Sequence, residues 1–85
     1  MTTTALIERG KDGTFGIFTP DINHIIIGDG NTVEEAKADF ENSVEEMILS
    51  YTEKGRKLPE ELKDIKFVYK YDRVSMNAKF THHVF

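Results

Sequence analysis

Seven carboxylates, Glu34, Glu35, Asp39, Glu41, Glu45, Glu46 and Glu53, fall on a stretch with helical spacing between residues 34 and 53. Side chains of this type could gather metal ions for hydrolysis, or present negative charge to a basic surface. Just ahead of them, Gly28-x-Gly30 precedes the helical pattern, a spacing that could aim backbone N–H groups at an anion. Three histidines, His24, His82 and His83, are the other candidate ligands, and there is no cysteine. Cysteine-based zinc sites and thiol nucleophiles are thereby excluded.

Each chemistry competes with a plainer reading of the same residues. Two-metal hydrolysis needs several carboxylates converging on ions ~3.5–4 Å apart. The strand-like segments hold Glu8 and little else, while Asp12, Asp21 and Asp29 fall in expected turns, where aspartate is common anyway. At the glycine turn, Glu34 and Glu35 already occupy the positive end of the helix and would repel a phosphate. The P-loop lysine and the third glycine of a dinucleotide fingerprint are also missing. The His82–His83 pair lacks the further ligands and orienting partners that a metal site wants. His24 reads as a partly buried histidine with its hydrogen bonds satisfied, and no serine or threonine stands in a recognisable nucleophile setting. No catalytic residue, metal site or cofactor is expected.

The carboxylates then divide by position. Thr32 is a natural N-cap with Glu35 at N3, a capping box, and Glu34 joins Glu35 in the first turn, where the dipole favours negative charge. Asp39, Glu45 and Glu46 lie further along and are free to meet a basic partner, although Asn42 and Leu49 interrupt the acidic face. A plain solvated helix face is the competing interpretation.

These residues need elements to hold them. Ala5 to Arg9 predicts a strand opening near residue 3, and Gly10-Lys11-Asp12-Gly13 a turn. Thr14 to Thr19 predicts a second strand closed by Pro20-Asp21. His24 to Ile27 predicts a third, ended by a turn at Gly28-Asp29-Gly30-Asn31. The run Ile25-Ile26-Ile27 does not alternate, which suggests a strand covered on both faces at the centre of the sheet. Val33, Ala36, Phe40, Val44, Met47, Ile48 and Tyr51 recur at spacings of three and four, predicting a helix from about Val33 to Lys54, stopped by Lys54 and Gly55. After a connector containing Pro59, Ile65 to Tyr71 alternates, with Ile65, Phe67, Tyr69 and Tyr71 on one face and Lys66, Val68 and Lys70 on the other. The expectation is an α+β two-layer fold, β-β-β-α-β: a three-stranded antiparallel meander plus a fourth strand, with one long helix packed on one face.

Composition agrees with a single small domain over 1–72, followed by a tail, 73–85, expected to be poorly ordered or to pair in an oligomer. Of 85 residues, 39% are hydrophobic, ordinary for a globular chain. A net charge of −4 argues against direct nucleic-acid binding, which draws on Lys and Arg. The N-terminal segment lacks the basic and apolar regions of a signal peptide, and Ile25–Ile27 falls far short of the ~20 residues of a membrane span. A soluble, cytoplasmic protein without membrane contact is expected, one that associates as a homo-oligomer.

Taken in order, Phe18-Thr19-Pro20-Asp21, Gly28-Asp29-Gly30-Asn31-Thr32 and Val33-Glu34-Glu35-Ala36 resemble the HicB-like antitoxins, and Phe67 to Asp72 looks like the last strand of that domain. The resemblance spans roughly residues 3 to 72 and lies in order and spacing, since Thr-x-Glu-Glu-Ala is a generic helix start. It implies a partial ribonuclease-H-like fold that binds and silences a small basic RNA-cleaving toxin, HicA. Family members commonly add a C-terminal DNA-binding domain, but thirteen residues follow Asp72 here and no helix-turn-helix is expected among them. The Pro-Gly-Cys loop of many members is replaced by Ile22-Asn23-His24. Two alternatives stand beside the antitoxin: a stand-alone dimeric regulator or relic, and a degenerate metal-dependent nuclease using Glu8 and Asp21.

Overall fold

The alternating pattern of residues 2–9 produces the strand on which everything else is assembled. In a computed structural model describing residues 1–72, strand β1 (Thr2–Arg9) buries Thr3, Ala5 and Ile7 on one face, while its even-numbered residues face the other way. A turn at residues 10–14 reverses the chain, with Gly13 at φ 86°, a conformation that glycine adopts without strain. Asp12 Oδ1 accepts hydrogen bonds from the Thr14 N–H (3.1 Å) and hydroxyl (2.6 Å), an Asx-type closure. Strand β2 (Phe15–Phe18) then pairs antiparallel with β1, matching Ile7 with Ile17.

The third strand differs in place and role from its expected form. It forms over Ile27–Gly30 (β3), not His24–Ile27, and it is an edge strand in the order β3-β2-β1-β4. Ile25 and Ile27 are 67% and 60% exposed, and of the three isoleucines only Ile26 is buried. The unbroken aliphatic run is therefore not a strand covered on both faces. Residues 19–26 form a folded loop, organised by buried Thr19: its hydroxyl donates to the His24 carbonyl and accepts the Ile26 N–H, both at 3.1 Å.

The two glycines ahead of the helix belong to β3. Gly28 pairs with Ile17 on the covered face of the sheet, and a Cβ there would overlap the backbone N and Cα of Phe40. A Cβ on Gly30 would come within 2.6 Å of the Ala36 nitrogen. Both glycines let the helix settle directly on the strand, so close approach rather than turn geometry requires them.

Helix α1 (Val33–Glu53) opens where the Thr32 hydroxyl accepts the Glu35 N–H at 3.1 Å. Glu35 Oε1 accepts the Asn31 N–H at 3.1 Å, one residue ahead of the N-cap. At the other end Gly55, at φ 63°, lets Arg56 N–H reach the Tyr51 carbonyl and Gly55 N–H reach that of Thr52, a Schellman closure. A short 3-10 helix (Glu60–Leu62) buries Leu62, and strand β4 (Lys66–Tyr71) runs parallel to β1, pairing Ala5 with Tyr69.

Strand order, one mixed four-stranded sheet and one long helix give the two-layer α+β fold. A helix connecting two parallel strands is the ordinary way to join them. Its core is Ala5, Ile7, Ile17, Ile22, Ile26, Ala36, Phe40 and Leu62. Phe40 is its centre, meeting the rings of Phe67 and Tyr69 edge-on at centroid distances of 5.0 and 6.0 Å. Among the described residues no helix is long and apolar enough to cross a membrane. The tail 73–85, with His82 and His83, lies outside the described residues.

Candidate functional site

Residues of an α-helix succeed one another at about 100°, so the carboxylates of α1 cannot share one direction. Packing of Ala36 and Phe40 on the sheet fixes the helix rotation and sorts them. Asp39 falls on the β3 side, where its Oδ2 accepts the Asp29 N–H at 2.9 Å. Asp29 thus has its N–H turned outward from an edge strand, and the carboxylate closes that edge. Asp39 is accordingly not the free carboxylate that its exposed position in the helical pattern suggests. Glu46 points into solvent and accepts a hydrogen bond from the Asn42 side chain at 3.1 Å, a pairing one turn apart on the helix.

Glu45 lies on the opposite flank, over β4, and there it joins Glu41. These two carboxylates border a shallow groove whose remaining lining is Val44 and Phe67. Phe67 belongs to β4, the strand that ends the sheet among the described residues, so the groove runs between the helix and that outer strand. Tyr69 continues it. Its hydroxyl donates to Glu41 Oε2 at 3.3 Å, and the Lys37 ammonium stands 4.7 Å from its ring centroid. Burial, then the charge of Glu41, pushes the Tyr69 phenol up to about 12, so it remains a neutral donor. The Tyr69 hydroxyl orients Glu41, and Glu45 extends beside it. Glu41 belongs to the same flank as Glu45 and only the rotation of the helix reveals it; the i, i+4 spacing was the available signal.

A second polar cluster sits at the far end of the helix. His24 Nδ1 lies 2.9 Å from Glu61 Oε2, and His24 Nε2 lies 3.2 Å from the Tyr51 hydroxyl. The same Glu61 oxygen accepts the backbone N–H groups of Asn23 (3.0 Å) and His24 (3.3 Å). Its hydrogen bond from His24 holds the Glu61 carboxyl below the usual glutamate range. Histidine between a carboxylate and a hydroxyl has the outline of a general-base relay. Here, however, the carboxylate is engaged by the loop backbone, and the arrangement fastens residues 19–26 to the helix and to the 3-10 segment. His24 is indeed partly buried and hydrogen-bonded; Glu61 was not singled out by sequence, being 37 residues away.

The carboxylates named for metal-dependent cleavage do not meet. Asp21 lines a shallow surface with Met1 to Thr4, Val68 and Lys70, beside the start of β1, whereas Glu8 is near the end of that strand. Four residues of extended chain between Thr4 and Glu8 span about 13 Å, far beyond the separation of two bridged metals. Glu8 instead neighbours Asp72; burial first, then the hydrogen bond and charge of Asp72, pushes its carboxyl up. Among the described residues, no group of three or more His, Asp or Glu side chains is placed to hold a metal ion.

Compared with known proteins, the chain matches no family model, no curated protein and no solved structure.

Proposed function

We propose that the chain is a non-catalytic, cytoplasmic antitoxin-like protein that binds and neutralises a small basic RNA-cleaving toxin of the HicA type. The supporting observation is the groove between α1 and β4, where Glu41 and Glu45 border an apolar floor of Val44 and Phe67. Apolar floor and acidic rim are the two components of a steered protein contact: charge guides the basic partner in, and desolvation of the floor holds it. The adjoining β4, the outer strand of the sheet among the described residues, offers main-chain hydrogen-bonding groups for a partner strand, the mode called strand addition. The resemblance to HicB-like antitoxins supplies the partner's chemistry. Within this reading Glu45 and Glu41 make the charged contact, Glu46 contributes longer-range attraction, and Asp39 maintains the sheet edge.

Co-expression with a candidate basic toxin tests the proposal. Recovery of a complex, with RNA cleavage suppressed by the wild-type chain and restored on reversing Glu41 and Glu45 to lysine, is the expected result. Undiminished cleavage in the presence of excess wild-type chain contradicts it.

A further inference from the structure

Strand β4 has one bonded side and one open side. Its Lys66 N–H donates to the Met1 carbonyl at 2.8 Å, and the Asp72 N–H just beyond the strand donates to Ile7, also at 2.8 Å. Bonding groups alternate along a parallel ladder. Lys66, Val68 and Lys70 therefore direct theirs to β1, while Phe67, Tyr69 and Tyr71 direct theirs away from it. Because β4 is the outer strand among the described residues, no strand of the described sheet meets these three. Side chains alternate in step. Phe67 and Tyr69 lie on the helix-covered face with Tyr71, which is 55% exposed, and Lys66, Val68 and Lys70 lie on the other. Asp72 follows on the lysine side, hydrogen-bonded to Glu8. Helix α1 packs over β3 and β2 and leaves this edge clear.

We propose that this edge pairs with its own copy, β4 joining β4 antiparallel about a two-fold axis at Tyr69 to make one continuous sheet. Antiparallel pairing through the outward groups sets odd-numbered residues opposite odd-numbered residues, so the axis falls on a residue and not between two. Charge and overlap choose which. A centre at Val68 places Lys66 opposite Lys70 of the second copy, and a centre at Lys70 places that lysine opposite itself; like charges directly opposite are destabilising. Centres at Phe67 and Tyr71 leave at least half of each β4 beyond the end of the other. Only the centre at Tyr69 avoids both faults. Phe67 then lies opposite Tyr71 of the second copy and Tyr69 opposite Tyr69, an unbroken row of aromatic pairs. On the other face Lys66 lies opposite Asp72, twice by symmetry, at positions where facing side chains are closest. Glu8 adds its carboxyl beside Asp72, and Lys70 faces Val68 with Asp21 beside it in its own chain. Glu41 and Glu45 of each copy flank the aromatic row, where the Lys37 ammonium on each Tyr69 ring offsets part of their charge. The antitoxin reading offers this edge to a partner strand, so the two uses exclude one another. The dimer is tested on the chain alone, and its failure leaves that reading standing.

Sedimentation of the full chain over a range of concentrations, with amide hydrogen exchange across the same range, reads the result. The wild type is expected to dimerise, and the Phe67, Tyr69 and Tyr71 amides to gain protection as the dimer forms. Lys66→Glu, with unchanged helical circular dichroism, should weaken the dimer about tenfold, the scale of two exposed ion pairs. Lys66→Glu with Asp72→Lys should recover it. A chain that is monomeric at every concentration overturns the proposal. A dimer whose three outward amides exchange as they do in the monomer overturns it equally, as does a dimer indifferent to Lys66→Glu.

Discussion

Asp39 Oδ2 accepts the backbone N–H of Asp29 at 2.9 Å, so a helix carboxylate serves as the hydrogen-bonding partner of an edge strand. An acidic residue that looks available to a partner is already engaged within the fold. Asp39→Ala leaves that N–H to water and should cost about 1 kcal/mol, the usual scale of such a bond. Thermal denaturation should show a decrease of about 4–8 °C for a domain of this size. Affinity for the proposed basic partner should fall no further than the loss of folded protein accounts for.

Gly28 supports the helix by having no side chain. Gly28→Ala would put a methyl against the Phe40 backbone, where neither element can yield without separating the layers. Overpacking of this kind costs about 1–3 kcal/mol, and contact with backbone rather than a flexible side chain places Gly28→Ala at the upper end. Urea unfolding should show it clearly less stable than Gly16→Ala, whose new methyl points into open space.

Stability in acid should depend on Glu61. Its folded-state value lies below the ordinary 4.5, so the stabilisation it gives is present above that value and lost as pH falls through the lowered one. Glu61→Gln should therefore lose stability at neutral pH and show a flatter acid limb in chemical denaturation. His24→Ala should flatten the same limb, because His24 makes the hydrogen bond that lowers Glu61.

Glu8 behaves in the opposite sense. Burial and Asp72 raise its carboxyl above 4.5, so its ionised form is disfavoured in the folded state. That penalty is full above the raised value and vanishes below the unfolded one. Glu8→Gln should then increase stability at neutral pH, and the increase should disappear in acid.

Local signals carried much of this fold. Thr32-x-x-Glu35 and Gly55 bound the helix because capping bonds join near neighbours, and alternation assigned Phe67 and Tyr69 to the covered face. What failed depended on distance. Gly28 and Gly30 resemble a turn because the residues that exclude a side chain there, Ala36 and Phe40, are known only once the helix lies on β3. Ile25-Ile26-Ile27 resembles a central strand because consecutive aliphatics do not disclose that Ile26 alone turns inward. The candidate site was half legible: its acidic character was clear, but helix rotation separates Asp39 from Glu45 and adds Glu41.

The most direct measurement is the affinity of the full chain for a basic RNA-cleaving partner, with Glu41 and Glu45 reversed to lysine singly and together. Each reversal should weaken binding several-fold, on the order of 1 kcal/mol or more at a contact of this charge, and the pair should restore RNA cleavage. Asp39→Ala should bind as the wild type does. Equal affinity for wild type and the double reversal would contradict the account, because the Glu41–Glu45 groove would then have no part in recognition.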